Sequence, residues 1–214
     1  ALINYISSIG YKSDENLFNS LWPCSCHLIG KDILTTHTVY WPIMLKAMGL
    51  ELPKTIFAHG WWLTGKTKMS KSLGNVVNPI DLIEKYDVDS FRFFLLSEMT
   101  LGQDSSFTED AFIRRYNADL ANDFGNLVNR VLNMINRYCE GKIPKHHYFD
   151  NNEEILWDGM QKSISFMKES ILNMKINVGI EKVMEASRSI NKYLETKAPW
   201  TAFKNGNIED VETT

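Results

Sequence analysis

Apolar and polar positions follow two rhythms along this chain. Up to about residue 107, short apolar runs are punctuated by Gly, Pro and Ser, the pattern of alternating strands and helices. His27-Leu28-Ile29-Gly30 predicts a short buried strand that ends in a glycine turn. Ile33 to Met48 predicts a helix that Pro42 must kink or divide, because proline has no N–H for the ladder. Thr55 to Leu63 predicts β structure. Asn78-Pro79 predicts a helix start, with Asn78 as cap and Pro79 in the first position. From Thr108 the rhythm is helical, and Glu109 and Asp110 suit the positive end of a helix dipole. Phe112, Tyr116, Leu120, Phe124, Leu127, Val131, Met134 and Tyr138 recur at gaps of three and four. That spacing predicts one buried stripe on a single long helix, stopped by Gly141 and Pro144. Glu153 to Met174 and Val178 to Leu194 predict two more helices. The expected organisation is an α/β half, residues 1–107, and an all-α helix bundle, residues 108–214, with the joint at residues 101–106.

Composition narrows the function classes. The 214 residues are 44% hydrophobic and 23% charged, which allows a real core in each half. A formal charge of −3 argues against nucleic-acid binding driven by bulk electrostatics and leaves room for a local basic and aromatic site. No run approaches the roughly 18 apolar residues of a membrane-spanning helix, and no signal peptide is visible. Cys24, Cys26 and Cys139 make no disulfide framework, which points to a reducing cytoplasm. Cys24-x-Cys26-His27 has a metal-like spacing but lacks the second half-site of a tetrahedral zinc, so no metal site is expected. The opening Ala1-Leu2-Ile3-Asn4-Tyr5-Ile6 has no initiating Met and is already apolar and periodic, which reads as a start within a domain.

Residues 59–75, HGWWLTGKTKMSKSLGN, hold two overlapping phosphate motifs. Gly60-x-x-x-x-Gly65-Lys66-Thr67 satisfies the Walker A pattern of a nucleotide hydrolase. Its wildcard positions, Trp61-Trp62-Leu63-Thr64, are bulky and β-favouring, and the glycines and proline after Thr67 cannot carry the helix a P-loop needs. Lys68-Met69-Ser70-Lys71-Ser72 offers two compact cations on a Ser/Gly loop, able to close over a polyphosphate, with Gly65 and Gly74 as hinges. A solvated lysine turn is the plainer reading of that run.

The order His27-Leu28-Ile29-Gly30-Lys31-Asp32-Ile33, His37, Trp41-Pro42, then Phe57-Ala58-His59-Gly60-Trp61, then KMSKS-x-Gly-Asn resembles the methionyl-tRNA synthetases of bacterial or organellar type, which are class I enzymes. The similarity runs from Ala1 to about Phe203. It implies the second part of a Rossmann-type catalytic core followed by a helical anticodon-binding domain. By the resemblance, Ala1, Leu2, Tyr5, Ile33, His37 and Trp41 would line a methionine pocket. Aromatic edges suit a thioether, and the i, i+4, i+8 spacing of the last three equally fits a core stripe. Gly30 and Asp32 would meet the ATP ribose, and His59, Gly60 and Trp62 the adenine. Lys68 and Lys71 would be the catalytic lysines at the phosphates of ATP, which carries Mg2+. The implied reaction is formation of methionyl-adenylate and transfer of methionine to tRNA(Met), in a bacterial cytosol or organelle matrix.

In the helical half, Asn126, Arg130, Asn133 and Arg137 form one polar ridge. The resemblance implies that Asn126, Arg130 and Trp200, in Ala198-Pro199-Trp200, read the anticodon; a solvated face with a core Trp is the alternative. Asn and Arg suit exposed base edges, and unpaired bases stack on aromatic rings. One motif departs from the family. The His-Ile-Gly-His sequence of class I enzymes is absent, and His27-Leu28-Ile29-Gly30-Lys31 matches a different segment. The expectation is a chain lacking the N-terminal half of the catalytic site, inactive alone, whose remaining competence is tRNA binding.

Overall fold

The apolar run ending at Gly30 is strand β1 (Cys26–Gly30), paired in parallel with β2 (Thr55–His59), with Leu28 opposite Phe57 and Gly30 opposite His59. Parallel pairing requires a crossover. Here it contains a 3-10 turn (Lys31–Ile33), a π-helix (Thr36–Tyr40) and a short α-helix that follows α1 (Asn4–Ser7) and α2 (Glu15–Leu21) in the chain as α3 (Trp41–Ala47). The expected helix over Ile33–Met48 is therefore divided, and Pro42 stands in the first turn of α3, where the winding changes. Ile6, Trp22, Trp41 and Leu45 form the core here, with Leu2, Tyr11, Phe18 and Met48 packed against it.

The β-prone stretch after residue 54 is two strands, because Gly60 interrupts it. β3 (Trp62–Thr64) turns at Gly65, whose φ of +63° favours glycine, into the antiparallel β4 (Thr67–Lys68); β5 (Ser105–Phe107) completes the order β4-β3-β5. Among the described residues Thr67 lies in a strand and the next helical turn starts only at Lys71, which speaks against the Walker A alternative. The computed structural model describes residues 1–65, 67–145 and 150–214, so Lys66 lies outside the described residues, as does the Lys71 side chain.

Two compact units result: Ala1–Lys68 with Leu101–Ser106, and Met69–Thr100 with Phe107–Thr214. The second unit is helical: α4 (Pro79–Tyr86), α5 (Val88–Glu98), α6 (Glu109–Arg115), a π-helix (Tyr116–Gly125), α7 (Asn126–Tyr138), α8 (Asn151–Leu172), α9 (Ile176–Lys197), α10 (Pro199–Lys204) and α11 (Ile208–Thr213). Asn78 caps α4 through Ile80 N–H, and Thr108 Oγ1 caps α6 through Ala111 N–H at 3.1 Å. The Phe94 ring lies 5.5 Å from Phe107 and 5.3 Å from Phe112. α8 and α9 form a hairpin whose close approach requires Gly179: a Cβ there would lie 3.1 Å from Ser170 Cβ and 3.3 Å from Met167 O.

The single long helix expected after Thr108 is corrected. Its middle is wound as a π-helix, which shifts every later position relative to a 3.6-residue period. Phe124 is consequently 48% exposed, while Asp119 is only 7% exposed and bonded to Arg115 at 2.9 Å. Gly125 closes the π stretch, and a Cβ there would lie 2.8 Å from Leu120 O.

Candidate functional site

The C-terminal ends of β1 and β2 bring three of the expected residues together. Gly30 pairs with His59. A Cβ added at Gly30 would lie 2.5 Å from Asp32 Oδ1 and 3.8 Å from His59 Cε1. Asp32 is exposed and offers its carboxylate to solvent, and the ends of parallel strands are where open α/β sheets take ligands. Gly60 is buried against the backbone of Gln103 and Asp104; a Cβ there would lie 1.9 Å from Gln103 O. Asp104 binds Lys31 Nζ at 2.6 Å and accepts from Trp61 N–H at 2.9 Å. Lys31 holds the Asp104 carboxyl below its ordinary range. The ammonium groups of Lys31 and Lys68 lie 4.0 Å and 4.2 Å from the Trp61 ring centre. Trp62 is half-buried in β3.

An aromatic cluster packs against His27, near the start of β1. Tyr5 Oη is 3.0 Å from His37 Nε2, and its ring centre is 5.6 Å from His37 and 6.0 Å from Trp41. His37 Nδ1 meets Ile33 O at 2.9 Å; a carbonyl only accepts, so Nδ1 carries the proton and Nε2 accepts from Tyr5. Trp41 is fully buried and donates from its indole to His27 Nε2 at 3.0 Å. His37 is buried as well, whereas Ile33 is exposed, Leu2 packs on the core and Ala1 is exposed at the chain start. His27, to which the sequence analysis gave no place in the pocket, is 7% exposed and 4.6 Å from the Tyr5 ring. Its signal was a lone histidine at an inward position of an apolar strand. Burial, and then His37, lower its pKa and keep it neutral, as an acceptor from Trp41 must be. Cys24 Sγ lies 3.6 Å from the same Nε2. That nitrogen is already engaged by Trp41. Among the described residues no group of three or more His, Cys, Asp or Glu is arranged to hold a metal.

The loop after β4 folds on itself. Ser70 N–H donates to Asn75 Oδ1 at 2.8 Å, the Ser70 and Ser72 hydroxyls are 2.8 Å apart, and Lys71 opens a 3-10 turn (Lys71–Leu73).

In the helical unit, Arg130 and Trp200 come together. The guanidinium carbon lies 5.7 Å from the Trp200 ring centre. Arg130 Nη1 is 3.5 Å from both Glu195 Oε1 and Asn191 Oδ1 on α9. Asn126 is exposed one turn earlier on α7, and Asn133 and Arg137 are exposed further along it. Trp200 stands on α10, which begins after Ala198 in the left-handed region at φ +47°.

Comparison with known proteins fits this arrangement. The family described as tRNA synthetases class I (M) matches residues 1–132. The methionine–tRNA ligase of Bacillus subtilis is 42% identical over 98% of this chain and 32% of its own length, and that of Enterococcus faecalis 44% identical over 95% and 31%. A Mycobacterium tuberculosis methionyl-tRNA synthetase in complex with methionyl-adenylate superposes with a TM-score of 0.94 at 36% identity, covering 100% of this chain and 43% of that one. The chain thus spans about a third of the length of these curated relatives. With the family match covering more than half of its residues, this chain belongs to the methionyl-tRNA synthetase family of class I tRNA synthetases.

Proposed function

We propose that the chain supplies the methionine- and ATP-binding strand ends and the anticodon-reading helices of a methionine–tRNA ligase. The observation that carries this reading is the convergence of Gly30, Asp32 and His59 at the parallel strand ends, on a strand whose His27 packs against the Tyr5–His37–Trp41 cluster. Tyr5, His37 and Trp41, with Ala1, Leu2 and Ile33 at the margin, receive the thioether of L-methionine; sulfur packs well against ring edges. The Asp32 carboxylate accepts from the ribose hydroxyls, and Gly30 lets the sugar approach the backbone. His59, Gly60 and Trp62 flank the adenine. Lys68 and Lys71 bind the phosphates of Mg-ATP while the methionine carboxylate attacks the α-phosphorus and pyrophosphate leaves. Acceleration then comes from positioning and from charge stabilisation. The methionine passes from the adenylate to the terminal adenosine of tRNA(Met), in a bacterial cytosol or organelle matrix.

We also propose that these 214 residues do not complete the reaction alone, because the sequence has no His-Ile-Gly-His to meet the phosphates from the other side. Their independent activity is RNA binding, through Asn126, Arg130 and Trp200. The test is a gel shift with a short RNA hairpin carrying a CAU loop. Arg130→Ala and Trp200→Ala are each expected to weaken binding about tenfold, the worth of one stacked or hydrogen-bonded base. Unchanged affinity in both variants rejects the assignment.

A further inference from the structure

A polar cluster around the buried Glu153 ties the end of α9 to the start of α8, three residues before Trp200. Lys197, the last residue of α9, places its ammonium 2.6 Å from Glu153 Oε1 and 2.8 Å from Asp150 Oδ2. Tyr193, one turn earlier, donates its hydroxyl to the same Glu153 Oε1 at 2.5 Å. Glu153 Oε2 accepts from Asp150 N–H at 2.7 Å, closing the capping box of α8. Glu153 is only 6% exposed, with both carboxylate oxygens engaged. A buried carboxylate so fully satisfied holds its partners in one geometry.

That geometry matters because of the residues just beyond Lys197. Ala198 adopts φ +47°, ψ +58°, which a residue with a Cβ disfavours and which persists only when its surroundings impose it. Pro199 is buried with φ fixed by its ring, and Trp200 comes next, over Arg130. Lys197 thus anchors the chain immediately before the strained Ala198, three residues ahead of the indole.

We propose that Lys197, Tyr193 and Glu153 are positioning residues for Trp200, clamping the α9 end so that the indole presents its face to an unpaired base. This rests on the reading of Trp200 as a stacking residue. The test measures affinity of the 214-residue chain for the CAU hairpin at fixed salt, by fluorescence anisotropy, across Lys197→Met, Trp200→Ala and the double variant. Lys197→Met keeps the aliphatic stem and deletes the charge. It is expected to weaken binding about fivefold to tenfold in the parent and not at all in the Trp200→Ala background, the non-additivity of residues acting through one another. Tyr193→Phe, which removes one hydroxyl, is expected to show a smaller loss with the same dependence on Trp200, and carries the test should Lys197→Met fail to fold. Unchanged affinity in the two clamp variants, or losses that multiply with that of Trp200→Ala, overturns the proposal while leaving the Trp200 reading intact. An unaffected Trp200→Ala overturns both.

Discussion

One proton decides how the aromatic cluster of the first unit is held. His27 accepts from the buried Trp41 indole and has Tyr5, Trp22, His37 and Cys24 around it. Protonated, it would turn N–H toward N–H and leave both unsatisfied in the interior. Its pKa in the fold lies below the ordinary 6.5, through burial first and His37 second. Below 6.5 the unfolded chain therefore binds more protons than the folded one. The His27 contribution to stability is complete above that pH and declines as pH falls from it toward the folded value. The urea midpoint is expected to drop between about pH 7.5 and pH 5.5. His27→Gln, whose amide oxygen accepts from Trp41 without titrating, is expected to flatten that drop. An equally steep profile in the variant assigns the pH dependence elsewhere.

The long helical segment after Thr108 is where local pattern and tertiary structure part. A 3.6-residue period puts Phe124 in the core; the π winding puts it at the surface and leaves Leu127 buried. Phe124→Ser is accordingly expected to change stability by no more than about 0.5 kcal/mol, and Leu127→Ala to cost about 2–5 kcal/mol. Paired urea titrations settle this, and comparable losses in the two variants would restore the continuous α-helix. The features legible in the sequence are those with local causes. Asn78 caps the helix after it, His27–Gly30 lies in a strand, and α8 and α9 fall where their apolar spacing puts them. The π winding has a faint local sign in Gly125. It also depends on α9, whose Asn191 donates to Asp123 O at 3.0 Å and whose Arg188 pairs with Asp123 at 3.1 Å. Those partners are 65 to 68 residues away, beyond any periodicity argument. The same limit hid the site details. The residue types around Gly30 and Asp32 were readable, but the Asp104–Lys31–Trp61 contacts join segments 43 and 73 residues apart.

At the scale of the whole chain, charge separates the two activities that the proposed function contains. A net charge of −3 gives no general attraction for RNA, so under the proposed function hairpin binding would come chiefly from Arg130, with the exposed Arg137 further along α7. One or two phosphate contacts predict a slope of log affinity against log salt of about −0.7 to −1.4, far shallower than for a basic nucleic-acid binder. Adenylate formation has the opposite requirement, because an in-line displacement at phosphorus concentrates negative charge on the attacking side and on the leaving pyrophosphate. Under the proposed function that charge would meet Lys68 and Lys71, and the sequence holds no His-Ile-Gly-His to add to them. The same preparation is therefore expected to bind the hairpin with that shallow slope and to show no methionine-dependent exchange of pyrophosphate into ATP above background. Exchange that disappears in Lys71→Ala would show that one set of phosphate ligands suffices for the chemistry and would overturn the partial-site reading. A salt slope steeper than about −3 would move RNA binding away from the Arg130–Trp200 pair to a broader surface.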